Sequence, residues 1–277
     1  MKNFYLSEHP FYTIQGEGHY MGVPSVFIRF FGCNFECRGF GMPKGEKSRE
    51  PERIAASIDL YKDIEEIPLA KTGCDSFISW HPAYKRFRKQ YNAETILEKV
   101  LSIIPEGTRP HIVFTGGEPL MQQKAICEII QRLTKEGFVH YTFETNASKQ
   151  LTRNFRECMA DTDAEITFSM SVKLSSSGEL KEEAFRPDYV KEYMPCADIM
   201  YFKFVVWTAE DMDEVEEWVQ GYKSAGVSRF NVYLMPEGGT PEAFVKNAKY
   251  VADIALDRGW RYSDRLQVSL FRNEWGT

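Results

Sequence analysis

Apolar and polar residues alternate in short blocks along most of the chain, and the period of the alternation changes from block to block. Runs rich in β-branched and aromatic residues predict seven strands, at residues 26–31, 111–115, 141–144, 166–171, 199–206, 230–235 and 266–270. The spacing of apolar residues between them predicts four long helices, at residues 94–104, 122–136, 209–225 and 241–258. Gly259 follows the last of these, as is typical of a helix end.

Strands that alternate with helices predict βαβ crossovers and therefore a parallel sheet. Because about six such units fall short of a closed eight-stranded barrel, we expect an α/β fold, an incomplete TIM-like barrel of about six parallel strands with the helices outside. Residues 38–73 break the pattern, with a Gly-rich charged loop at 38–47 and a short predicted helix at 51–64. We therefore expect a single domain over residues 1–277, in which 38–73 is an insertion.

Composition narrows the class of protein. The chain has 277 residues, of which 43% are hydrophobic and 27% charged, as in ordinary globular enzymes. The net charge of −6 argues against a nucleic-acid partner, and no apolar run approaches the roughly 20 residues of a membrane span. With no apolar signal core near the N-terminus, we expect a cytoplasmic protein. Its six cysteines then favour thiolate chemistry over a disulfide framework.

Three cysteines predict a metal centre. Cys33 and Cys37 lie four residues apart, directly after the first predicted strand and Gly32. Iron–sulfur clusters take thiolate ligands, and three thiolates leave one iron open. Cys74, in the polar loop Gly73-Cys74-Asp75-Ser76, is the best third ligand, because Cys127, Cys158 and Cys196 lie in or beside predicted helices and strands. A zinc site or free thiols stay open as alternatives, although zinc prefers four protein ligands.

A glycine-rich motif follows the second predicted strand, Thr115-Gly116-Gly117-Glu118-Pro119. Its two glycines allow the backbone to approach a ligand closely, and Glu118 offers a negative charge to an ammonium group. The alternative is an ordinary strand-to-helix turn. Polar groups also follow the next two predicted strands, in Glu144-Thr145-Asn146 and Ser171-Val172-Lys173.

Together these motifs resemble the radical S-adenosylmethionine (SAM) superfamily, which has Cys-x3-Cys after one strand and Gly-Gly-Glu-Pro after the next. Five further segments resemble the 7-carboxy-7-deazaguanine synthase family, in the same order along the chain: residues 11–18 (FYTIQGEG), 24–29, 114–120, 143–146 and 203–206. The resemblance covers nearly the whole chain outside 38–73. Cys74-Asp75-Ser76, with Trp80 beyond it, is similar to the family's Cys-Asp-Thr element, displaced here by the insertion.

The resemblance implies a mechanism and a set of cofactors. A 4Fe–4S cluster on Cys33, Cys37 and Cys74 would bind SAM and cleave it to a 5′-deoxyadenosyl radical. That radical would start the conversion of 6-carboxy-5,6,7,8-tetrahydropterin to 7-carboxy-7-deazaguanine and ammonia, in 7-deazapurine (queuosine-type) biosynthesis. A flavodoxin- or ferredoxin-type reductant and a homodimer are also implied.

The resemblance also implies residue roles. Gln15, Gly16 and Glu17 would hold the pterin, and Arg29 would pair with its carboxylate, unless Arg29 forms only a surface salt bridge. Ser76 would bind Mg²⁺, or simply cap its loop. The SAM-binding residues would be Thr115, Gly116, Gly117, Glu118, Ser171 and Lys173. The chain departs from the family at Val172, where the family has proline, and at Ser269, where it commonly has histidine.

Two other functions remain open. One is an activating enzyme that places a glycyl radical on a partner protein, although Gln15–Glu17 and Arg29 favour a small substrate. The other is a non-enzymatic Fe–S redox module, which would not need the glycine-rich motif. A basic cluster shortly after Cys74 is either a solvated helix face or a docking patch for an acidic electron donor: Lys85, Arg86, Arg88 and Lys89.

Overall fold

A ten-stranded sheet organises the computed structural model, which describes residues 2–277. The strands are β1 Phe4–Leu6, β2 Phe11–Ile14, β3 Pro24–Phe30, β4 Lys89–Tyr91, β5 His111–Gly116, β6 His140–Thr145, β7 Glu165–Met170, β8 Ile199–Val206, β9 Asn231–Pro236 and β10 Arg261–Tyr262. The α-helices are α1 Glu50–Ala55, α2 Ala93–Ile103, α3 Gln123–Lys135, α4 Arg153–Ala160, α5 Lys181–Ala184, α6 Pro187–Tyr193, α7 Ala209–Ser224, α8 Pro241–Arg258 and α9 Leu266–Ser269. In residues 2–277 no helix has the length and apolarity to cross a membrane.

The sheet is an open barrel. Strands β3, β5, β6, β7, β8, β9 and β10 pair in that order, and every neighbouring pair is parallel. Strands β1, β2 and β4 extend the β3 side with antiparallel pairs. Across the described residues the order runs from β10 to β4 without returning on itself. The predicted incomplete barrel is therefore confirmed, with six longer parallel strands and the two-residue β10.

Burial on both faces explains the parallel strands. In β5, Ile112, Val113 and Phe114 are fully buried although they point to alternate faces, as expected for a sheet covered on both sides. Capping residues mark helix ends. Asn92 forms a capping box at the start of α2, and Gly259 ends α8 in a left-handed conformation (φ 63°).

One predicted strand is wrong. Residues 266–269 form α9 and Leu270 caps it: the Leu270 amide donates to the Leu266 carbonyl at 2.8 Å, and the Ser269 amide donates to the Arg265 carbonyl at 3.1 Å. Only Val268 is buried in this segment, whereas Leu270 is 58% exposed. A five-residue apolar run has too few positions to separate a helical from a strand period.

The segment 38–73 returns the chain close to the point where it left. The helix predicted at 51–64 is shorter in the structure. There α1 ends at Ala55, and only 3₁₀ turns follow it in the segment. At its base, the Gly73 amide donates to the Phe40 carbonyl (2.7 Å), and one Glu50 carboxylate oxygen accepts from the amides of Lys71 and Thr72 (both 2.7 Å). This base places Cys74 beside the loop that contains Cys37.

The same segment has its own small apolar cluster, separate from the core of the barrel. Ile54, Ile64 and Ile67 pack there with Phe77 and Tyr84, which follow Cys74 in sequence. Apolar burial thus holds the folded-back segment against the residues that come after the third cysteine.

Candidate functional site

One cavity of about 240 Å³ opens at the C-terminal ends of the parallel strands. Fourteen residues were predicted for the site, and all except Glu118 line this cavity: Gln15, Gly16, Glu17, Arg29, Cys33, Cys37, Cys74, Ser76, Thr115, Gly116, Gly117, Ser171 and Lys173. They come from segments as far apart as residues 15 and 173. The expectation that reacting groups gather where the strands end therefore agrees with this geometry.

The three predicted cluster ligands share this cavity. Burial raises the pKa of the Cys33 thiol to about 11 and that of Cys74 to about 12, and it raises the pKa of Cys37 as well. A buried thiol of this kind becomes a thiolate when positive charge compensates it, and a metal centre supplies such charge. Within residues 2–277, no three His, Cys, Asp or Glu side chains converge tightly enough for a single metal ion.

Side chains from the end of β6 hold the cysteine loop. Asn34, between the two cysteines, donates to the Ser148 hydroxyl (2.9 Å) and accepts from the Asn146 amide group (3.2 Å). The Gly32 amide donates to the Ser79 carbonyl at 2.6 Å. The loop is therefore tied both to the barrel and to the segment after Cys74.

The two glycines of the Gly-Gly-Glu motif lie against this cysteine loop. A Cβ on Gly117 would lie 2.7 Å from the Cβ of Cys33 and would collide with the Gly32 carbonyl, and one on Gly116 would collide with Phe30. The Gly117 amide donates to the Phe30 carbonyl at 3.2 Å, and the Glu118 amide to that of Gly32 at 2.8 Å. Close backbone packing on the first cluster loop thus requires glycine here.

Glu118 faces the protein interior. It is fully buried, and its carboxylate accepts from the Leu120 amide (3.0 Å), the Thr145 hydroxyl (2.8 Å) and the Asn146 amide (2.7 Å). Burial raises its pKa, although these bonds and Lys173 act in the opposite direction. The expectation that Glu118 meets an ammonium group of a ligand stays a prediction, because every hydrogen bond named above joins its carboxylate to the protein. Its carboxylate joins the glycine-rich loop to the end of β6.

The predicted pterin-binding segment lies across the strand ends. The Gln15 amide donates to one Glu144 carboxylate oxygen at 3.1 Å, and the Thr115 hydroxyl donates to the other at 2.9 Å. The Gln15 side-chain oxygen accepts from the Glu17 amide at 3.1 Å. Glu144 therefore connects the predicted substrate segment to the predicted SAM-binding strand.

Glu17 belongs to a buried ion network that the sequence motifs did not predict. Its carboxylate pairs with Lys203 and with Arg265 (3.1 Å), and Arg265 also pairs with Asp75 (2.5 Å). The Gln267 amide donates to Glu17 at 2.5 Å. Burial by itself would raise the pKa of Glu17, but Lys203 and Arg265 outweigh it and lower that pKa to about 2. Glu17 is therefore a carboxylate at every physiological pH.

The sequence could have identified Lys203 as a member of this network, but it could not have identified Arg265. Lys203 is the only charged residue of β8, where its neighbours are apolar or aromatic, and such a cation in a buried strand predicts a carboxylate partner. Arg265 precedes α9, whose type the pattern did not identify, and its partners lie 190 and 248 residues away in sequence.

Arg29 forms a salt bridge, but its partner is buried and not on the surface as the alternative expected, and its pairing with a substrate carboxylate stays a prediction. Its Nε donates to the buried carboxylate of Glu8 at 2.7 Å, so it does form a salt bridge. Its Nη1 donates to the Ser76 hydroxyl at 3.2 Å, and both residues line the cavity. Ser76 in turn lies 3.3 Å from the Asp75 carboxylate. The guanidinium thus reaches the loop of the third cysteine.

Lys173 and Ser171 form a local pair on the cavity wall. The Lys173 ammonium donates to the Ser171 carbonyl at 2.7 Å and to its hydroxyl at 3.0 Å. An ammonium held in this position supplies positive charge to the part of the cavity that the cysteines share.

The basic cluster after Cys74 does not form a helix face. Lys85 and Arg86 end a 3₁₀ turn, whereas Lys89 begins β4. Arg86 pairs with Asp59 at 2.5 Å, Lys89 with Asp63 at 3.7 Å, and the Arg88 guanidinium lies 3.7 Å from the centre of the Tyr5 ring. The helix-face interpretation is wrong, and two of the four charges have carboxylate partners.

Comparisons with known proteins agree with this geometry. A family model described as a 4Fe-4S single cluster domain matches residues 14–188, which include all three predicted cluster cysteines. The 7-carboxy-7-deazaguanine synthase of Halobacterium salinarum is 30% identical over 95% of this chain and 89% of its own length. That of Pyrobaculum aerophilum is also 30% identical, over 96% of this chain and 94% of its own length. The crystal structure of QueE from Escherichia coli superimposes with a TM-score of 0.57 at 20% identity, covering 94% of this chain and 93% of that one, which supports a common fold.

Proposed function

The chain belongs to the 7-carboxy-7-deazaguanine synthase family, and we propose that it makes 7-carboxy-7-deazaguanine by radical SAM chemistry. The enzyme is a lyase of queuosine-type biosynthesis that acts on 6-carboxy-5,6,7,8-tetrahydropterin and releases ammonia. The observation that carries the proposal is a single cavity lined by three cysteines and also by Gln15, Glu17 and Arg29.

Cys33, Cys37 and Cys74 are the proposed ligands of the 4Fe–4S cluster. The cluster and SAM, when bound, supply one-electron chemistry that amino-acid side chains do not provide. The strand end Thr115–Gly117 offers backbone groups to SAM, and Lys173 offers a positive charge to its carboxylate. Glu118 supports this wall from behind, since its carboxylate accepts hydrogen bonds from Leu120, Thr145 and Asn146.

The proposed pterin contacts follow from unused hydrogen-bonding capacity. An ionised carboxylate has about four lone-pair sites, and Glu17 uses three of them, on Lys203, Arg265 and Gln267. The remaining site can accept from a pterin N–H. Arg29 donates hydrogen bonds to protein groups through Nε and Nη1. The other N–H groups of its guanidinium remain for the substrate carboxylate.

Three finer features complete the proposal. Mg²⁺ binds at the Ser76 hydroxyl, supported by the nearby Asp75 carboxylate, because Mg²⁺ prefers oxygen ligands. A flavodoxin- or ferredoxin-type protein supplies the electron, and the enzyme works as a cytoplasmic homodimer, as the family resemblance implies. Sedimentation of the purified chain tests the dimer. Turnover with added Mg²⁺ or Ca²⁺ tests the ion.

Anaerobic incubation of the reconstituted enzyme with SAM, reductant and 6-carboxy-5,6,7,8-tetrahydropterin tests the activity. We expect 7-carboxy-7-deazaguanine by mass spectrometry. An Arg29→Gln variant should raise KM about 10- to 100-fold, the effect of losing a charge-assisted hydrogen-bonded pair. Arg153→Gln is the matched control, because the Arg153 side chain is 84% exposed. SAM cleavage without this product would contradict the proposed substrate.

A further inference from the structure

A carboxylate distant in sequence holds the second cluster cysteine. One Glu179 carboxylate oxygen accepts hydrogen bonds from the backbone amides of Cys37 (2.6 Å) and Glu36 (2.9 Å). The two partners are 142 residues apart in the chain. Glu179 follows a turn at Ser175–Ser177, which itself follows the proposed SAM-binding Lys173.

Residues at this turn contact the cysteine loop at a second place. The Gly39 amide donates to the Ser177 carbonyl at 2.8 Å, and a Cβ on Gly39 would lie 2.7 Å from the Gly178 nitrogen. Between these contacts, Cys37 has a φ of 49°, in the left-handed region that non-glycine residues rarely adopt. An unfavourable backbone conformation persists only when its surroundings impose it. The two bonds to Glu179 are part of those surroundings.

The position of this carboxylate also has an electrostatic consequence. The reduction potential of an iron–sulfur cluster depends on nearby charge and on hydrogen bonds to its sulfurs. Glu179 places a negative charge beside the Cys37 backbone and occupies two N–H groups that could otherwise donate to sulfur. Both effects disfavour the addition of an electron and so lower the potential.

We propose that Glu179 is a positioning residue that fixes the Cys37 loop and lowers the reduction potential of the cluster. The inference rests on the proposed function only in placing the cluster on Cys33, Cys37 and Cys74. It goes beyond the reaction, because it assigns control of electron uptake to a residue outside the motifs.

Glu179→Gln tests the electrostatic part, because the amide keeps an oxygen acceptor and removes the charge. The matched control is Glu214→Gln. Glu214 holds the same turn through the Ser175 amide (3.0 Å) and hydroxyl (2.6 Å), and none of its described hydrogen bonds reaches the cysteine loop. The measurement is an anaerobic redox titration of the cluster by electron paramagnetic resonance, without substrate.

At a fixed solution potential near the wild-type midpoint, we expect the ratio of reduced to oxidised cluster to rise roughly tenfold in Glu179→Gln. An effect of this size follows from one unit charge several ångströms away in a partly solvated site. The ratio should not change in Glu214→Gln. Equal ratios in wild type and Glu179→Gln would overturn the electrostatic role.

A second pair of variants covers the case in which Glu179→Gln does not keep its cluster. Glu179→Asp and Glu179→Asn have the same shorter side chain and differ in charge. We expect Glu179→Asp to retain more iron and a lower potential than Glu179→Asn, and equal values would overturn the inference. If wild type itself bound no cluster, the proposed function would fail instead, so the two failures are distinguishable.

Discussion

The buried pair of Glu17 and Lys203 gives a sharp test of the site's electrostatics. Lys203→Met keeps the length and apolar part of the side chain but removes the ammonium from a residue that is only 4% exposed. Breaking a buried ion pair typically costs 3–5 kcal/mol, since a charge is left unpaired. The net lowering of the Glu17 pKa from 4.5 to about 2 corresponds to about 3 kcal/mol in favour of its ionised form, which Lys203, Arg265 and Gln267 supply against the opposing effect of burial.

Because Arg265 still contacts Glu17 in this variant, we expect a loss of about 2–3 kcal/mol in the free energy of unfolding. That corresponds to a fall of roughly 4–12 °C in Tm. Urea unfolding of the metal-free protein measures the loss. In a double-mutant cycle with Glu17→Gln, the coupling energy should be about 1–3 kcal/mol.

The matched control is the exposed pair of Lys181 and Glu217, whose side chains are 48% and 64% exposed. The same substitutions there should give a coupling of about 0–1 kcal/mol. If the two cycles gave equal coupling energies, the network around Glu17 would not be the stabilising unit inferred from its burial.

Glu17, the base of the segment 38–73 and Gly117 each have a measurable effect on the protein. Since the folded pKa of Glu17 lies below its unfolded value of 4.5, the stability it contributes is present above about pH 4.5 and is lost as the pH falls toward 2. In urea unfolding, the stability difference between wild type and Glu17→Gln should therefore shrink over that range. A constant difference would contradict this. Glu50→Ala should speed the loss of iron to a chelator several-fold, because it frees the base of the segment before Cys74. Glu66→Ala, which frees the Lys62 amide on the surface, should match wild type. Equal rates in all three proteins would show that the base of the segment does not hold Cys74 in place. Gly117→Ala should lower the free energy of unfolding by about 1–3 kcal/mol, because its Cβ would overpack the cysteine loop. Urea unfolding measures this loss. An unchanged urea midpoint would show that the loop can shift to make room.

The parts of the fold that the sequence predicted are those in which local pattern and burial agree. Strands such as β5 and β8 are apolar runs covered on both sides, and their spacing with α3 and α7 leaves little choice but parallel pairing. Strands β1, β2 and β4 have only three or four residues each and owe their form to antiparallel partners. No period can be measured over so few positions.

The site residues likewise divide into those that a local motif predicted and those that it could not. Cys33, Cys37 and Gly117 lie in short motifs at strand ends, and the structure brings them to one cavity or its wall. Arg265 and Glu179 were not predicted, because their partners lie more than 140 residues away and neither residue stands in a motif. Glu118 lies in a motif but points inward, since residue type and spacing do not determine the direction of a side chain.

The central claim is that three thiols, one of them beyond a 36-residue segment, hold one cluster. Iron and sulfide analysis of the anaerobically reconstituted protein, with its electron paramagnetic resonance spectrum, tests it directly. Wild type and Cys127→Ala should each carry the four irons of a single 4Fe–4S cluster, whereas Cys74→Ala should lose most of them while its metal-free form unfolds at the wild-type urea concentration. A Cys74→Ala variant with the full iron content and an unchanged spectrum would contradict the assignment.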